Sequence, residues 1–338
     1  MDFQRSDDQR ALQEGIRAFC DGRVSLEALR GLEEKFDRTL WGELAEMGVF
    51  SLRQPESRGG VGLGMADAVL VFSELGRRLV PGPLAWTHLL AGRIDGAGSG
   101  ETVVGGVDQL DPRGGPVLVE HFGALDALVV LRADGVYRVD ARKLRAEPVA
   151  TPLDPHTPVA LVAELPRGDQ IGDGAEARQL RLEGSVLVAA QLLGIAEMSQ
   201  ELATEYARGR EQFGRPIGSF QAIKHILADA YVRQELARAA VYAAGATLDQ
   251  PEVGSAVRAA ASARVVAGEA ALKNARACVQ VHGGMGYTWE IPAHYYLKRA
   301  IVLENAFGTG EEQSERMAEL LVSEARSEAK PSEDQNGE

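Results

Sequence analysis

RGREQFGRPIGSFQAIKH, residues Arg208 to His225, interrupts two long runs in which apolar residues recur every three or four positions. VLVAAQLLGIAEMSQELATEYA precedes it and IKHILADAYVRQELARAAVYAAGATL follows it. The pattern predicts two helices that reverse direction through this stretch. Gly214 and Gly218 permit tight backbone geometry, and Pro216 keeps Arg215 out of the helical region. Arg210, Gln212, Arg215 and Gln221 place a guanidinium fork and amide donors beside a helix start, groups that suit a phosphate or pyrophosphate. The same residues would also serve as the wet side of a solvated helix hairpin.

The segment resembles a signature of the acyl-CoA dehydrogenase family, Arg-x-x-Phe-Gly-x-Pro-Ile followed by Phe-Gln, which in that family joins two helices of a C-terminal bundle. Downstream, CVQVHGGMGYTWEIPAHYYLKRA from Cys278 to Ala300 resembles the family's Gln-x-x-Gly-Gly-x-Gly-Tyr segment. ENAFGTGEEQ from Glu304 to Gln313 resembles the segment that comes next. Order and spacing agree for all three, and the resemblance runs from Met1 to about Val322.

Composition sets the outer bounds. The chain has 338 residues, 45% of them hydrophobic, enough for a large core in two or three domains. With 36 basic and 49 acidic residues its net charge is −13, and no local basic cluster offsets this, so a nucleic-acid surface is not expected. Cys20 and Cys278 match no zinc or redox spacing and read as buried apolar residues in a reducing compartment, with no metal site. The opening MDFQRSDDQRALQEG lacks a signal-peptide core, and no run of about 18 apolar residues is present, so the expected location is cytoplasmic, without membrane contact.

In chain order, residues 1–99 read as a helical domain. Ser6 or Asp7 can cap a helix facing inward with Leu12, Ile16 and Phe19; Leu32, Phe36, Leu40, Trp41, Leu44 and Met47 continue the pattern; Met65–Val80 and the stretch after Pro81 supply two more helices. The glycine run Gly59–Gly64 lacks the flanking strand of a dinucleotide fingerprint and reads as a loop. Residues 100–182 read as a small middle β-domain of five or six Val-rich strands, among them TVVGGV, PVLVEHF, ALVVLR, GVYRVD and PVALVAEL. Residues 183–322 read as a four-helix bundle whose third helix is rich in small residues, and 323–338 as a disordered polar tail. The fold class is α+β.

What the resemblance implies about chemistry is uneven along the chain. In the family a carboxylate removes the α-proton of an acyl-CoA thioester beside FAD, and electrons pass on to an electron-transfer flavoprotein. Matching Gly308-Thr309 to the family's Gly-Thr puts Phe307 at the usual base position, where no proton can be accepted. The alternative base position, counted back from Gly214, falls on Gly184; Glu183 is its neighbour but is rotated by about 100° on a helix. Glu304 and Glu311 match positions of structural and adenine-side roles. The Thr-Glu-Pro-x-x-Gly-Ser-Asp and Trp-Ile-Thr segments that hold the flavin edge are absent from the middle domain, which contains no Trp. The clasp that a neighbouring subunit places on pyrophosphate and adenosine is kept: Arg210, Gln212, Phe213, Gln280, Gly283 and Gly284, with Gln221 as a weaker match. This combination resembles the short subunit of the α2β2 heterotetrameric acyl-CoA dehydrogenases of actinobacterial steroid side-chain degradation. It implies FAD shared with a full-length catalytic partner that also holds most of the acyl-CoA. A self-sufficient homotetramer with Glu183 as a displaced base, and a scaffolding subunit without a flavin role, remain open alternatives at this level.

Overall fold

The computed structural model describes residues 5–25, 36–109 and 115–328. Helix α1 (Asp7–Arg23) opens with a reciprocal cap: the Ser6 hydroxyl accepts the Gln9 backbone N–H and the Gln9 side chain accepts that of Ser6. Its Ile16 and Cys20 are buried, as the spacing predicts, and Leu12 and Phe19 pack beside them. Helix α2 (Arg38–Glu46), capped by the Asp37 carboxylate, buries Leu40, Trp41 and Leu44; Leu32 lies outside the described residues. The glycine run after it is a loop that ends at Gly64, the N-cap of α3 (Met65–Arg77). The Met65 and Ala66 amides there donate to Asp249 at 2.7 and 2.8 Å, joining the first domain to the far end of the bundle. Helix α4 (Leu84–Leu90) completes the helical domain.

Helix α3 is the hinge of the packing. Its buried Glu74 accepts the Gln13 amide at 2.7 Å and the Arg17 guanidinium at 3.0 and 2.7 Å, so a carboxylate withdrawn from water keeps its partners. On its other side it crosses the first bundle helix at close range: a Cβ at Gly194 would stand 2.5 Å from the Arg77 backbone nitrogen. Only a missing side chain permits that approach.

Among the described residues seven strands follow: β1 (Val104–Asp108), β2 (Val117–Glu120), β3 (Ala127–Leu131), β4 (Gly135–Val139), β5 (Ala146–Pro148), β6 (Val159–Val162) and β7 (Asp169–Asp173). One sheet has the order β1-β3-β4-β7, with β1 and β3 parallel and the other pairs antiparallel; the second is β2-β6-β5, all antiparallel. The strands that the Val-rich pattern finds are β1, β2, β3, β4 and β6. The two it does not find, β5 and β7, are sheet edges that stay largely in solvent and so need no apolar alternation.

Helix α5 runs from Gly174 to Gly209, so the bundle begins before residue 183, the boundary read from the sequence. The four polar residues among 178–183 hide the true start, which Asp173 and Glu176 mark with a capping box. Helices α6 (Gln221–Asp249), α7 (Ala256–His282), α8 (Ala293–Leu303) and α9 (Gly310–Glu328) follow. Helix α9 continues through 323–328, a stretch assigned from composition to the tail; 329–338 lie outside the described residues. Helix α5 is long and apolar enough to cross a membrane, but 89% of its most apolar window is buried inside the protein, which makes it the core helix of the bundle. Buried Asn274 ties three bundle helices together, donating to the Ala196 and Ala230 carbonyls at 3.2 and 2.9 Å and accepting Arg233 at 2.9 Å.

Candidate cofactor-binding site

The stretch between α5 and α6 folds as a small hairpin, β8 (Glu211–Gln212) paired with β9 (Arg215–Pro216). Its two-residue turn has positive φ at both positions, 55° at Phe213 and 77° at Gly214. That is the twist a tight hairpin requires. Glycine adopts it freely, whereas a phenylalanine held there costs on the order of 1 kcal/mol or more. The strained Phe213 is nonetheless 90% exposed. The turn therefore spends backbone strain on presenting an aromatic ring to solvent, with an edge contact to Phe220 at 6.2 Å.

The two arginines of the hairpin differ in what they have left to offer. Arg215 is engaged, its guanidinium lying 4.2 Å over the Phe220 ring. Arg210 uses its backbone to close the hairpin, donating to the Tyr206 carbonyl and accepting from Ile217, both at 2.8 Å. Its exposed guanidinium makes no hydrogen bond or ion pair among the described residues.

Opposite the hairpin, α7 ends at His282 and the chain turns through Gly283, with φ of 59°, and Gly284. A Cβ at either glycine would meet nothing within 4 Å, so both present open backbone. The His282 ring stacks on Tyr206 with centroids 4.2 Å apart, and its Nδ1 is 2.8 Å from the Cys278 carbonyl. Burial lowers its pKa, outweighing that hydrogen bond. The neutral ring thus donates from Nδ1 and keeps Nε2 as an acceptor.

Hairpin and turn enclose a cavity of about 540 Å³ lined by Arg210, Gln212, Phe213, Gln280, Gly283 and Gly284. These are the residues singled out from two separate stretches of sequence, brought to one place. Gln221, the first residue of α6, is exposed and is not part of the lining. Sequence reasoning missed other parts of the wall, among them Tyr206, Ile217, Phe220, Ile223, His282 and Met285. Tyr206 had a signal, because it lies one helical turn before Arg210 on the same face. One polar wall with a free guanidinium and open glycine backbone suits a pyrophosphate with an attached nucleoside. The residues present therefore fit the nucleotide half of FAD.

The position matched to the family's base is tightly packed. Phe307, with φ of 53°, is buried, and its ring lies 4.4 Å from Trp86. A Cβ at Gly184 would stand 2.6 Å from Cδ1 and Cζ of Phe307, and one at Gly106 would stand 2.5 Å from Cζ3 of Trp86. A turn before Gly184, Arg181 bonds Asp108 at 2.7 Å and ties α5 to β1 along the same wall. Glu183, the neighbour of Gly184, has partners of its own. It is paired with Arg53 at 2.7 Å and accepts the Gln179 amide at 2.8 Å. Burial alone would raise its pKa, but the Arg53 hydrogen bond and charge outweigh it and hold the carboxylate below its usual range. A base needs the opposite shift. Glu304 is committed to Arg264 at 2.8 Å and to the Gly310 amide at 2.9 Å, while Glu311 is exposed in the first turn of α9.

Comparison with known proteins agrees with this architecture. Residues 6–102 match the model of the acyl-CoA dehydrogenase N-terminal domain, and residues 168–322 match that of the C-terminal domain. The chain belongs to the acyl-CoA dehydrogenase family of FAD-dependent oxidoreductases. It is 37% identical to the acyl-CoA dehydrogenase IpdE2 of Mycobacterium tuberculosis, over 82% of this chain and 85% of that one. It is 33% identical to acyl-CoA dehydrogenase FadE34 of the same organism over 87% of this chain, yet spans only 45% of that relative's length. Among solved structures, a chain of the ChsE4-ChsE5 complex from M. tuberculosis superposes with a TM-score of 0.81 at 27% identity, covering 95% of this chain and 99% of its own.

Proposed function

We propose that this chain is the non-catalytic subunit of a heteromeric acyl-CoA dehydrogenase, completing the FAD site of a full-length partner in an α2β2 assembly. The observation that carries the proposal is the contrast within one chain. The nucleotide clasp is open with Arg210 unpaired, while the place of the catalytic base is filled by Phe307 lying on Gly184. In this reading Arg210 pairs with the pyrophosphate, Gln212 and Gln280 supply amide hydrogen bonds, and Gly283 and Gly284 let the cofactor reach the backbone. FAD, when bound, supplies the electron acceptor for α,β-desaturation of an acyl-CoA. The carboxylate base and most of the acyl pocket come from the partner.

Two likenesses support division of the work. The ChsE4-ChsE5 structure is a complex of two named chains, and more than half of FadE34 lies outside its match to this chain. By resemblance to short subunits, the acyl group is a steroid side-chain thioester and the electrons pass to an electron-transfer flavoprotein, in the cytoplasm. The test is the visible spectrum and solution mass of the chain purified alone, and again after co-expression with a full-length family member. A colourless lone chain that enters a yellow heterotetramer is expected, with flavin lost from that complex on Arg210→Ala. A lone chain that is yellow and oxidises acyl-CoA overturns the proposal.

A further inference from the structure

The cofactor cavity has walls of opposite hydrogen-bonding character. On the hairpin side the Arg210 guanidinium can only donate, and it makes no hydrogen bond or ion pair among the described residues. On the other side the lining includes Gln280, Val281 and His282, the last turn of α7, where backbone carbonyls carry the negative end of the helix. That end favours donors in a ligand.

His282 sharpens the contrast. Its Nδ1 lies 2.8 Å from the Cys278 carbonyl, which can only accept, so the single proton of the neutral ring sits on Nδ1 and Nε2 keeps a bare lone pair. Burial lowers the pKa of the ring and holds it in that neutral form. The ring is stacked on Tyr206 at 4.2 Å and 28°. Nε2 makes no hydrogen bond among the described residues, yet it is not sealed from solvent, although the residue as a whole is only 6% exposed. Among the side chains that line the cavity, it is the one nitrogen that accepts. Ile217, Phe220, Ile223 and Met285 add apolar surface of the kind that holds a planar base.

A dinucleotide has the complementary polarity. Its pyrophosphate can only accept, and its adenosine carries donors, the amine of the base and the hydroxyls of the ribose. We propose that His282 orients the cofactor: its Nε2 accepts a hydrogen bond from the adenosine half of FAD, which places the adenosine against the end of α7 and the pyrophosphate on Arg210. The proposal rests on the shared-site reading above and names the contact that decides which way round the dinucleotide lies.

The test is a cycle between protein and ligand. The co-expressed heteromer is stripped of flavin and titrated with FAD and with two analogues while flavin fluorescence is followed. In one analogue purine replaces adenine, which removes the amine without adding bulk; in the other a dideoxyribose replaces the ribose of the adenosine. One of the two is expected to bind about tenfold more weakly than FAD, the effect of one lost hydrogen bond that leaves a partner unpaired. His282→Phe, which keeps a ring against Tyr206, weakens FAD by a similar factor and no longer distinguishes that analogue from FAD; which analogue it is tells the base amine from the sugar hydroxyls. A merely structural His282 would weaken all the ligands together and leave their ratios unchanged, which overturns the proposal. So does a natural heteromer that binds FAD and both analogues alike, a result that needs no variant to fold. Arg210→Ala separates this inference from the reading beneath it. Flavin released by that variant, with ratios unmoved by His282→Phe, leaves the shared site standing and removes His282 from it; flavin retained by Arg210→Ala overturns both.

Discussion

The ring of Phe307 lies on the α-carbon of Gly184, so closely that a methyl group there would stand 2.6 Å from two ring carbons. These are the two positions at which the family resemblance looks for a carboxylate base. One carries a phenyl ring, and the other has no side chain and so admits it. Trp86 backs the ring from the far side and rests in turn on Gly106. Two glycines and two aromatics from separate parts of the chain thus form one packed unit.

Phe307→Ala therefore reports packing rather than chemistry. Loss of a buried aromatic ring and the cavity it leaves costs about 3–5 kcal/mol, read from the midpoint of urea unfolding. If the proposed division of work holds, flavin content and turnover of the co-expressed heteromer stay as they were. A cost below about 1 kcal/mol would mean that the ring is loosely held and the space available.

Gly184→Ala tests the same contact from the other side. A methyl group forced against the ring costs about 1–3 kcal/mol. In the Phe307→Ala background that cost falls towards zero, because the atom it strikes is gone. Denaturation of the four proteins of this cycle gives the coupling directly. Additive costs would show that the two residues do not meet.

Much of this was legible beforehand, and the exceptions have physical reasons. Helices α1, α3, α5, α6 and α7 repeat an apolar spacing over many turns, so their existence survives local noise; the start of α5 does not, because Arg178, Gln179, Arg181 and Glu183 interrupt Leu180 and Leu182 and only Asp173 and Glu176 mark the cap. Arg210, Gln280, Gly283 and Gly284, chosen where motif and chemistry agreed, line one cavity, whereas Gln221 shares the motif but stands outside it. The packing of Phe307 on Gly184 could not be read at all. A glycine says nothing about which distant ring its missing side chain makes room for.

Asp154 and Arg299 make the interior ion pair between the middle domain and α8. Both are nearly sealed from water, and Arg299 also donates to the Val80 carbonyl at 3.2 Å, while Asp154 accepts the Thr157 hydroxyl at 2.8 Å. Asp154→Ala strands a buried guanidinium and costs about 3–5 kcal/mol. Adding Arg299→Met removes the stranded charge, and most of the loss returns. Thermal unfolding of the two variants decides the matter: a double variant no better than the single one would show that packing, not the uncompensated charge, sets the cost.

Adjacent Glu120 and His121 give stability opposite dependences on pH. Burial pushes Glu120 up to about 7, with Asp154 adding to the rise and Arg299 opposing it; burial, helped by Arg299, takes His121 down to about 3. For Glu120 the folded state holds its proton after the unfolded state has lost it, so stability falls as pH rises from about 4.5 to 7 and is level above. The full term is on the order of 3 kcal/mol. For His121 the folded ring stays neutral while the unfolded one protonates, so stability falls as pH drops from 6.5 towards 3. Buried His88, lowered to about 4, acts in the same sense. Glu120→Gln should then gain on the natural protein progressively between pH 4.5 and 7. His121→Asn, which keeps a residue tolerant of the left-handed backbone there, should gain progressively below pH 6.5. Melting temperatures of the three proteins across pH 4 to 8 separate the two effects, and a variant whose offset does not change with pH would show that its residue titrates alike in folded and unfolded chains.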